Sequence, residues 1–136
     1  MYKIILILIL FIVNVTLIAC EKQTNDETEA VYHKIEPELA KKMMEESSVI
    51  ILDVRTSEEY NEGHIPGAVL IPDYEILETA EKILKDKNQT ILVYCRSGNR
   101  SRKAANNLLY LGYQNVYDFG GIIDWPYEIV KGKKLY

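Results

Sequence analysis

Cys95 follows the apolar residues 91–94 and opens a loop, Arg96-Ser97-Gly98-Asn99-Arg100-Ser101, whose residue types bind anions. A cysteine is reactive as a thiolate, and its surroundings decide how much thiolate is present at neutral pH. Gly98 can take positive φ, and a turn built on it can point several backbone N–H groups inward as an anion-binding nest. A helix beginning near Arg100 or Ser101 would aim its positive end at the same place. With the formal charges of Arg96 and Arg100 added, such surroundings bring a thiol from about 8.5 towards neutrality. The chemistry would be attack by the Cys95 sulfur as a nucleophile. The same residues also compose an ordinary turn with solvated arginines, and a free cysteine packs like a small hydrophobe. Spacing therefore supports a nucleophile and says nothing of its substrate.

The elements around this loop define where it sits. The runs "VIILDV" from Val49, "AVLIP" from Ala68 and "TILVYC" from Thr90 are short, β-branched and apolar at consecutive positions. Such runs suit strands covered on both faces, as in a parallel sheet between helices. Two weaker strands are expected, over residues 31–35 and 116–119. Helices are expected over "EPELAKKMMEE", with Pro37 at its first position and Leu39, Met43 and Met44 on its apolar side, and over "DYEILETAEKILKDK" and "SRKAANNLLYLG". Gly112 closes the last of these as a C′ residue. Alternation of strand and helix predicts an α/β fold, a three-layer sandwich with a mostly parallel sheet of about five strands and helices on both faces. Ligands of such sheets sit outside the carboxyl ends of the strands. "DVR" at residues 53–55, the segment after Ile71, and the Cys95 loop all fall at such ends.

The chain has 136 residues, which gives room for one core. Its start, "MYKIILILILFIVNVTLIAC", has the outline of a secretory signal peptide: Lys3, an apolar run over residues 4–13, and small Ala19 before Cys20. A membrane-spanning helix needs about 20 apolar residues, more than the segment supplies. Its "LIAC" ending resembles the lipobox of bacterial lipoproteins. That resemblance implies loss of residues 1–19, acylation of Cys20, and attachment to a membrane by lipid with no polypeptide span. Residues 20–30 carry four acids, one lysine and no large apolar side chain, so they read as a tether, with the folded domain over residues 31–136. Loss of Lys3 takes the net charge from −4 to −5, which argues against nucleic acid as a partner. With Cys20 acylated, Cys95 has no intramolecular disulfide partner.

"ILDVRTSEEYNEGHIPGAVLIP" (residues 51–72) followed by "ILVYCRSGNRSRKAANNLLYLGYQNVYDFGGIIDWPY" (residues 91–127) resembles a single-domain rhodanese. The likeness covers residues 31–133 and includes, in order, the "D-V-R…E-Y…G-H-I-P-G-A" stretch, the cysteine loop and a "G-G-I-x-D-W" ending. It implies sulfur transfer: Cys95 takes the outer sulfur of a donor such as thiosulfate, carries it as a persulfide and passes it to a thiophilic acceptor. The backbone of Arg96, Ser97, Gly98, Asn99, Arg100 and Ser101 would form the cradle, with Arg96 and Arg100 attracting a dianionic donor and stabilising departing sulfite. Related dual-specificity phosphatases place five residues between cysteine and arginine. Here four residues separate Cys95 from Arg100, which favours sulfur over phosphate.

Two readings apply to Asp53 and Arg55. Arg55 could touch substrate, or the pair could hold the loop through hydrogen bonds at the strand end, and the second is preferred because ion pairs beside active sites often serve architecture. His64 reads as a turn and packing residue, and Trp125 and Tyr127 as covers for the core. With only His33, His64 and one free cysteine, no spacing suggests a metal, and the chemistry requires no cofactor. The partners implied are a small sulfur donor, a thiol or cyanide acceptor, a sulfur-accepting protein, and a membrane reached through lipid on Cys20. Alternatives are a persulfide-binding relay module that turns over thiosulfate poorly, and a thiol-redox or arsenate-reducing enzyme. The lack of a resolving cysteine weighs against the redox reading. For the N-terminus, Cys20→Ser is expected to abolish acyl labelling and membrane retention; equal retention in the variant would mean an uncleaved anchor.

Overall fold

The computed structural model describes residues 31–132. The expected signal segment, the Cys20 lipidation site and the tether lie outside the described residues. Five strands form one sheet: β1 (His33–Lys34), β2 (Ile50–Asp53), β3 (Val69–Leu70), β4 (Ile91–Cys95) and β5 (Val116–Gly121). Their order is β1-β5-β4-β2-β3, and every pairing is parallel. The helices are α1 (Pro37–Glu46), α2 (Ser57–Glu62), α3 (Ile76–Ile83) and α4 (Asn99–Tyr110), with 3₁₀ turns at Asp73–Glu75 and Ile122–Asp124. This is the expected α/β sandwich. Among the described residues no helix is long and apolar enough to cross a membrane.

Strand β4 shows why the cysteine sits where it does. All five of its residues are buried, and its side chains alternate between two cores. Ile91, Val93 and Cys95 join Leu52, Ile76, Ala80, Ala104 and Leu108 on the α3–α4 side. Leu92 and Tyr94 join Ala40, Tyr60, Phe119 and Trp125 on the α1–α2 side. Period-two alternation in a strand covered on both faces thus delivers Cys95 to the helix that follows it and Tyr94 to the opposite layer.

Several sequence expectations need correction in detail. Helix α1 buries Ala40, while Leu39 is 47% exposed. The helix expected over residues 73–87 begins as a 3₁₀ turn and ends at Ile83; the Leu84 carbonyl accepts a hydrogen bond from Tyr113 Oη at 2.7 Å, which anchors the chain as it leaves the helix. Helix α2 was not expected. Its signal is a capping box: Glu59 N donates to Thr56 Oγ1 at 3.3 Å and Thr56 N donates to Glu59 Oε2 at 3.0 Å. Trp125 is 8% exposed and packs with Phe119, but Tyr127 stands at the surface.

The carboxyl ends of β2 and β4 are joined by a buried polar hub. Asp53, fully buried, accepts hydrogen bonds from Arg55 N and Nε at Oδ1, both 3.0 Å, and from Arg55 Nη2 and Tyr94 Oη at Oδ2, both 2.6 Å. Arg55 Nη2 also donates to the Gly63 carbonyl at 2.7 Å, and Tyr94 Oη accepts from Ile65 N at 3.1 Å. One carboxylate therefore fixes β2, β4 and the loop after α2 relative to one another. Replacing Asp53 by Ala would strand a buried guanidinium, and a loss of about 3–5 kcal/mol is expected in denaturant unfolding; a loss under 1 kcal/mol would show that the hub is dispensable.

Candidate active site

Cys95 ends β4 and α4 starts at Asn99, so three residues make the whole turn between them. Gly98, the N-cap of α4, has φ +100°, the left-handed conformation that glycine adopts without a Cβ penalty. This turns its N–H back onto the strand end, where it donates to Cys95 Sγ at 3.0 Å. Ser101 Oγ lies 3.6 Å from the sulfur on the first turn of the helix. In the thiol state the Ser101 hydroxyl donates to the carbonyl of Gly98 (3.1 Å) or Gly120 (3.3 Å).

The loop rests on β5 at a contact that only glycine permits. A Cβ on Gly121 would come 2.2 Å from the Arg96 carbonyl oxygen and 2.6 Å from Ser97 Cα. The register between β4 and β5 shifts at this point, from Val93 opposite Asp118 to Cys95 opposite Gly121. That bulge brings Gly121 opposite the cysteine and is the kind of irregularity that re-aims a strand end beside a site. Ile123 N donates to the Arg96 carbonyl at 3.3 Å and closes the far side of the turn.

These contacts set the electrostatics of the sulfur. Cys95 is 1% exposed, and burial by itself would push its thiol up. The Ser101 hydroxyl and the backbone N–H groups of Ser101, Gly98 and Ser97 outweigh burial and hold it below the usual thiol value. Hydrogen-bond donors are thus the main support for the thiolate.

The cations expected to face substrate divide into two kinds. Arg100 is committed to a carboxylate: its Nη1 and Nη2 donate to Glu59 Oε2 and Oε1, both at 2.7 Å. The Arg100 hydrogen bonds, opposed by burial, hold the Glu59 carboxyl down at about 2, and Glu59 in turn pushes the Arg100 guanidinium up. Because the Glu59 carboxyl is depressed in the folded state, its stabilisation is present above the ordinary carboxylate range and is lost as pH falls towards 2. Arg55 is committed likewise, to Asp53 and the Gly63 carbonyl. Arg96 has no ion pair among the described residues, and its exposed side chain borders an open cleft of about 280 Å³ with Glu62, Ile122, Ile123 and Ile129. His64 is buried, stacks on Tyr60 with ring centroids 3.6 Å apart, and has Nδ1 2.8 Å from the Tyr60 carbonyl oxygen, a packing arrangement.

The family profile described as "Rhodanese-like domain" matches residues 36–126. The chain belongs to the rhodanese-like family. The thiosulfate sulfurtransferase PspE of Escherichia coli (strain K12) is 40% identical over 81 residues, which cover 60% of this chain and 78% of that protein. A protein named sulfurtransferase from Allochromatium vinosum is 36% identical over 88 residues, covering 64% and 80%. The tRNA uridine(34) hydroxylase of Buchnera aphidicola is longer, and the match, 32% identical over 102 residues, spans 32% of its length. Among solved structures, the "rhodanese with anions from E. coli" is 38% identical with a TM-score of 0.59, covering 62% of this chain and all of that one.

Within this rhodanese-like domain the structure brings Cys95, Gly98 and Ser101 together around the sulfur. Asp53, Arg55, Glu59 and Arg100 form a frame of ion pairs beside the loop, and Arg55 and Glu59 also line the cleft that Arg96 borders. Glu59, Tyr94 and Gly121 were missed as supporting residues by the sequence reading. The Thr56–Glu59 capping-box spacing was a signal for the position of Glu59, but its pairing with Arg100 spans 41 residues and had no local signal. Ser101 is open to a direct test, because its hydroxyl is one of the groups that lower the thiol. Thiolate-dependent alkylation is full above the folded-state value and falls as pH drops through it. Ser101→Ala is expected to move the inflexion of Cys95 alkylation by iodoacetamide to higher pH and to slow the reaction at pH 7; an unchanged inflexion would assign the lowering to the backbone alone.

Proposed function

We propose that this protein is a sulfurtransferase that carries sulfane sulfur on Cys95, taking it from a small anionic donor such as thiosulfate. The observation that carries the reading is the Cys95 sulfur itself: nearly covered, held 3.0 Å from the Gly98 N–H, and shifted towards thiolate. The names of the relatives support the same class of reaction.

In the first step the Cys95 thiolate attacks the outer sulfur of thiosulfate. The Sγ–S bond forms as the bond between that sulfur and the sulfonate breaks, and its electron pair leaves with sulfite. Two negative charges arrive with the donor and two depart with sulfite, while the sulfur that stays behind keeps the single charge as a persulfide. The N–H groups that hold the thiolate are already aimed at this space and need no rearrangement as charge moves outwards. In the second step cyanide or a thiolate attacks the terminal persulfide sulfur, and the bond to Sγ breaks to restore the Cys95 thiolate. No external oxidant or reductant is consumed. A sulfur so well covered is reached by a terminal atom rather than a bulky group, which suits a donor whose reactive atom is at its end.

In this proposal Arg96, which borders the cleft and has no ion pair among the described residues, meets the donor from solution, while Arg100 and Arg55 keep the loop in place through their carboxylates. The protein would work outside the cytoplasm, tied to a membrane by lipid on Cys20, and would pass its sulfur to a small thiol or to an acceptor protein docked over the cleft.

With full-length protein, thiosulfate and cyanide are expected to give thiocyanate with ping-pong kinetics. Cys95→Ala should lower the rate by more than about 1,000-fold without loss of the folded state. Thiocyanate formed equally well by Cys95→Ala, or not at all by the wild-type chain, would overturn the proposal.

A further inference from the structure

Two cations near the Cys95 loop are already neutralised, Arg55 by Asp53 and Arg100 by Glu59. Arg96, Lys34 and Arg102, whose backbone N–H donates to the Gly98 carbonyl, have no ion pair among the described residues. Of these, Lys34 has its ammonium against the loop backbone.

Lys34 is the last residue of the edge strand β1, paired in parallel with β5 opposite Asp118. A parallel sheet puts that strand end on the same side as the end of β4, so the long side chain reaches the back of the cysteine loop. Its Nζ lies 3.9 Å from the point where a Cβ would project from Gly98 and 3.7 Å from the same point on Gly120. Both glycines have positive φ, and neither puts a side chain between the ammonium and the loop backbone. Gly98 is the residue whose N–H holds the sulfur.

Among the described residues no carboxylate pairs with this ammonium. Asp118, the nearest acid in register, is fully buried and accepts from Gly120 N at 2.9 Å and Tyr32 Oη at 2.7 Å. Among the described residues Lys34 has neither an ion pair nor a hydrogen bond. A positive charge beside a helix N-terminus is unfavourable on its own, because the dipole there is also positive. An anion at the loop makes both charges favourable at once.

We propose that Lys34 is a donor-recognition residue of the Cys95 site, attracting the charged end of an inorganic oxoanion from the β1 side while Arg96 does so from the cleft. The identity of that anion as a sulfur donor rests on the sulfur-transfer reading above. Lys34 acts through charge at short range and not through the sulfur, so it sets affinity for the donor rather than the rate of the bond exchange.

The test compares full-length wild type, Lys34→Gln and Lys34→Arg. With thiosulfate at low ionic strength, Lys34→Gln is expected to raise KM roughly three- to tenfold, with kcat within about twofold, and the difference should shrink as salt is added. Lys34→Arg should stay near wild type, and an uncharged organic persulfide donor should show no such dependence. A second readout needs no sulfur transfer: the ratio of Cys95 alkylation by anionic iodoacetate to that by neutral iodoacetamide should fall about two- to threefold in Lys34→Gln. If wild type transfers no sulfur from thiosulfate, the functional reading fails, and the alkylation ratio still decides the role of Lys34. An unchanged ratio overturns the inference, as does an equal rise in KM for the uncharged donor. A lowered Tm with KM and ratio unchanged also overturns it, assigning Lys34 to balancing the buried Asp118 carboxylate.

Discussion

A sulfur buried to 1% exposure that is to act as a thiolate requires donors in place of water, and the rest of the structure follows from that need. The Gly98 N–H reaches the sulfur at 3.0 Å only because the turn between β4 and α4 is three residues long and Gly98 takes positive φ. So short a turn must lie flat against β5, which excludes any side chain at Gly121. The bulge that brings Gly121 opposite Cys95 is thus part of the same constraint. The sulfur, the glycine turn and the irregular strand beside them form one unit of structure.

Charge is used around this unit mostly to hold it still. Asp53 receives Arg55 and Tyr94, fastening the ends of β2 and β4, and Glu59 receives Arg100, fastening the first turn of α4 to α2. These pairs satisfy one another, so they change the field at the sulfur less than their formal charges suggest. The fixed dipoles of the backbone and the Ser101 hydroxyl supply the local stabilisation of the thiolate. Arg96 and Lys34, which have no ion pair among the described residues, are the cations we propose for a dissolved anion.

Local pattern was enough to read the sheet. Consecutive apolar residues in β2 and β4 marked strands buried on both faces, and the Gly98 turn was legible because glycine has few other reasons to stand between a strand and a helix. Helix α2 escaped notice because "SEEYNE" has almost no apolar periodicity, although the Thr56–Glu59 spacing recorded its cap. Leu39 looked like a core residue from periodicity, but the helix turns Ala40 inwards, where a small side chain fits against the sheet. What the sequence could not convey was the pairing of distant charges. Arg100 in isolation reads as a substrate cation, and only the fold brings Glu59 against it. Lys34 was silent for the same reason, since its meaning depends on a strand pairing with residues more than 80 positions away.

The most direct test mixes the full-length protein with thiosulfate in the absence of any acceptor, and measures sulfite release together with the intact mass. The account predicts one sulfite per chain and a mass gain of one sulfur atom, both lost when Cys95 is first alkylated. Sulfite release without the mass gain, or a sulfur that remains on the chain after Cys95 is blocked, would contradict it.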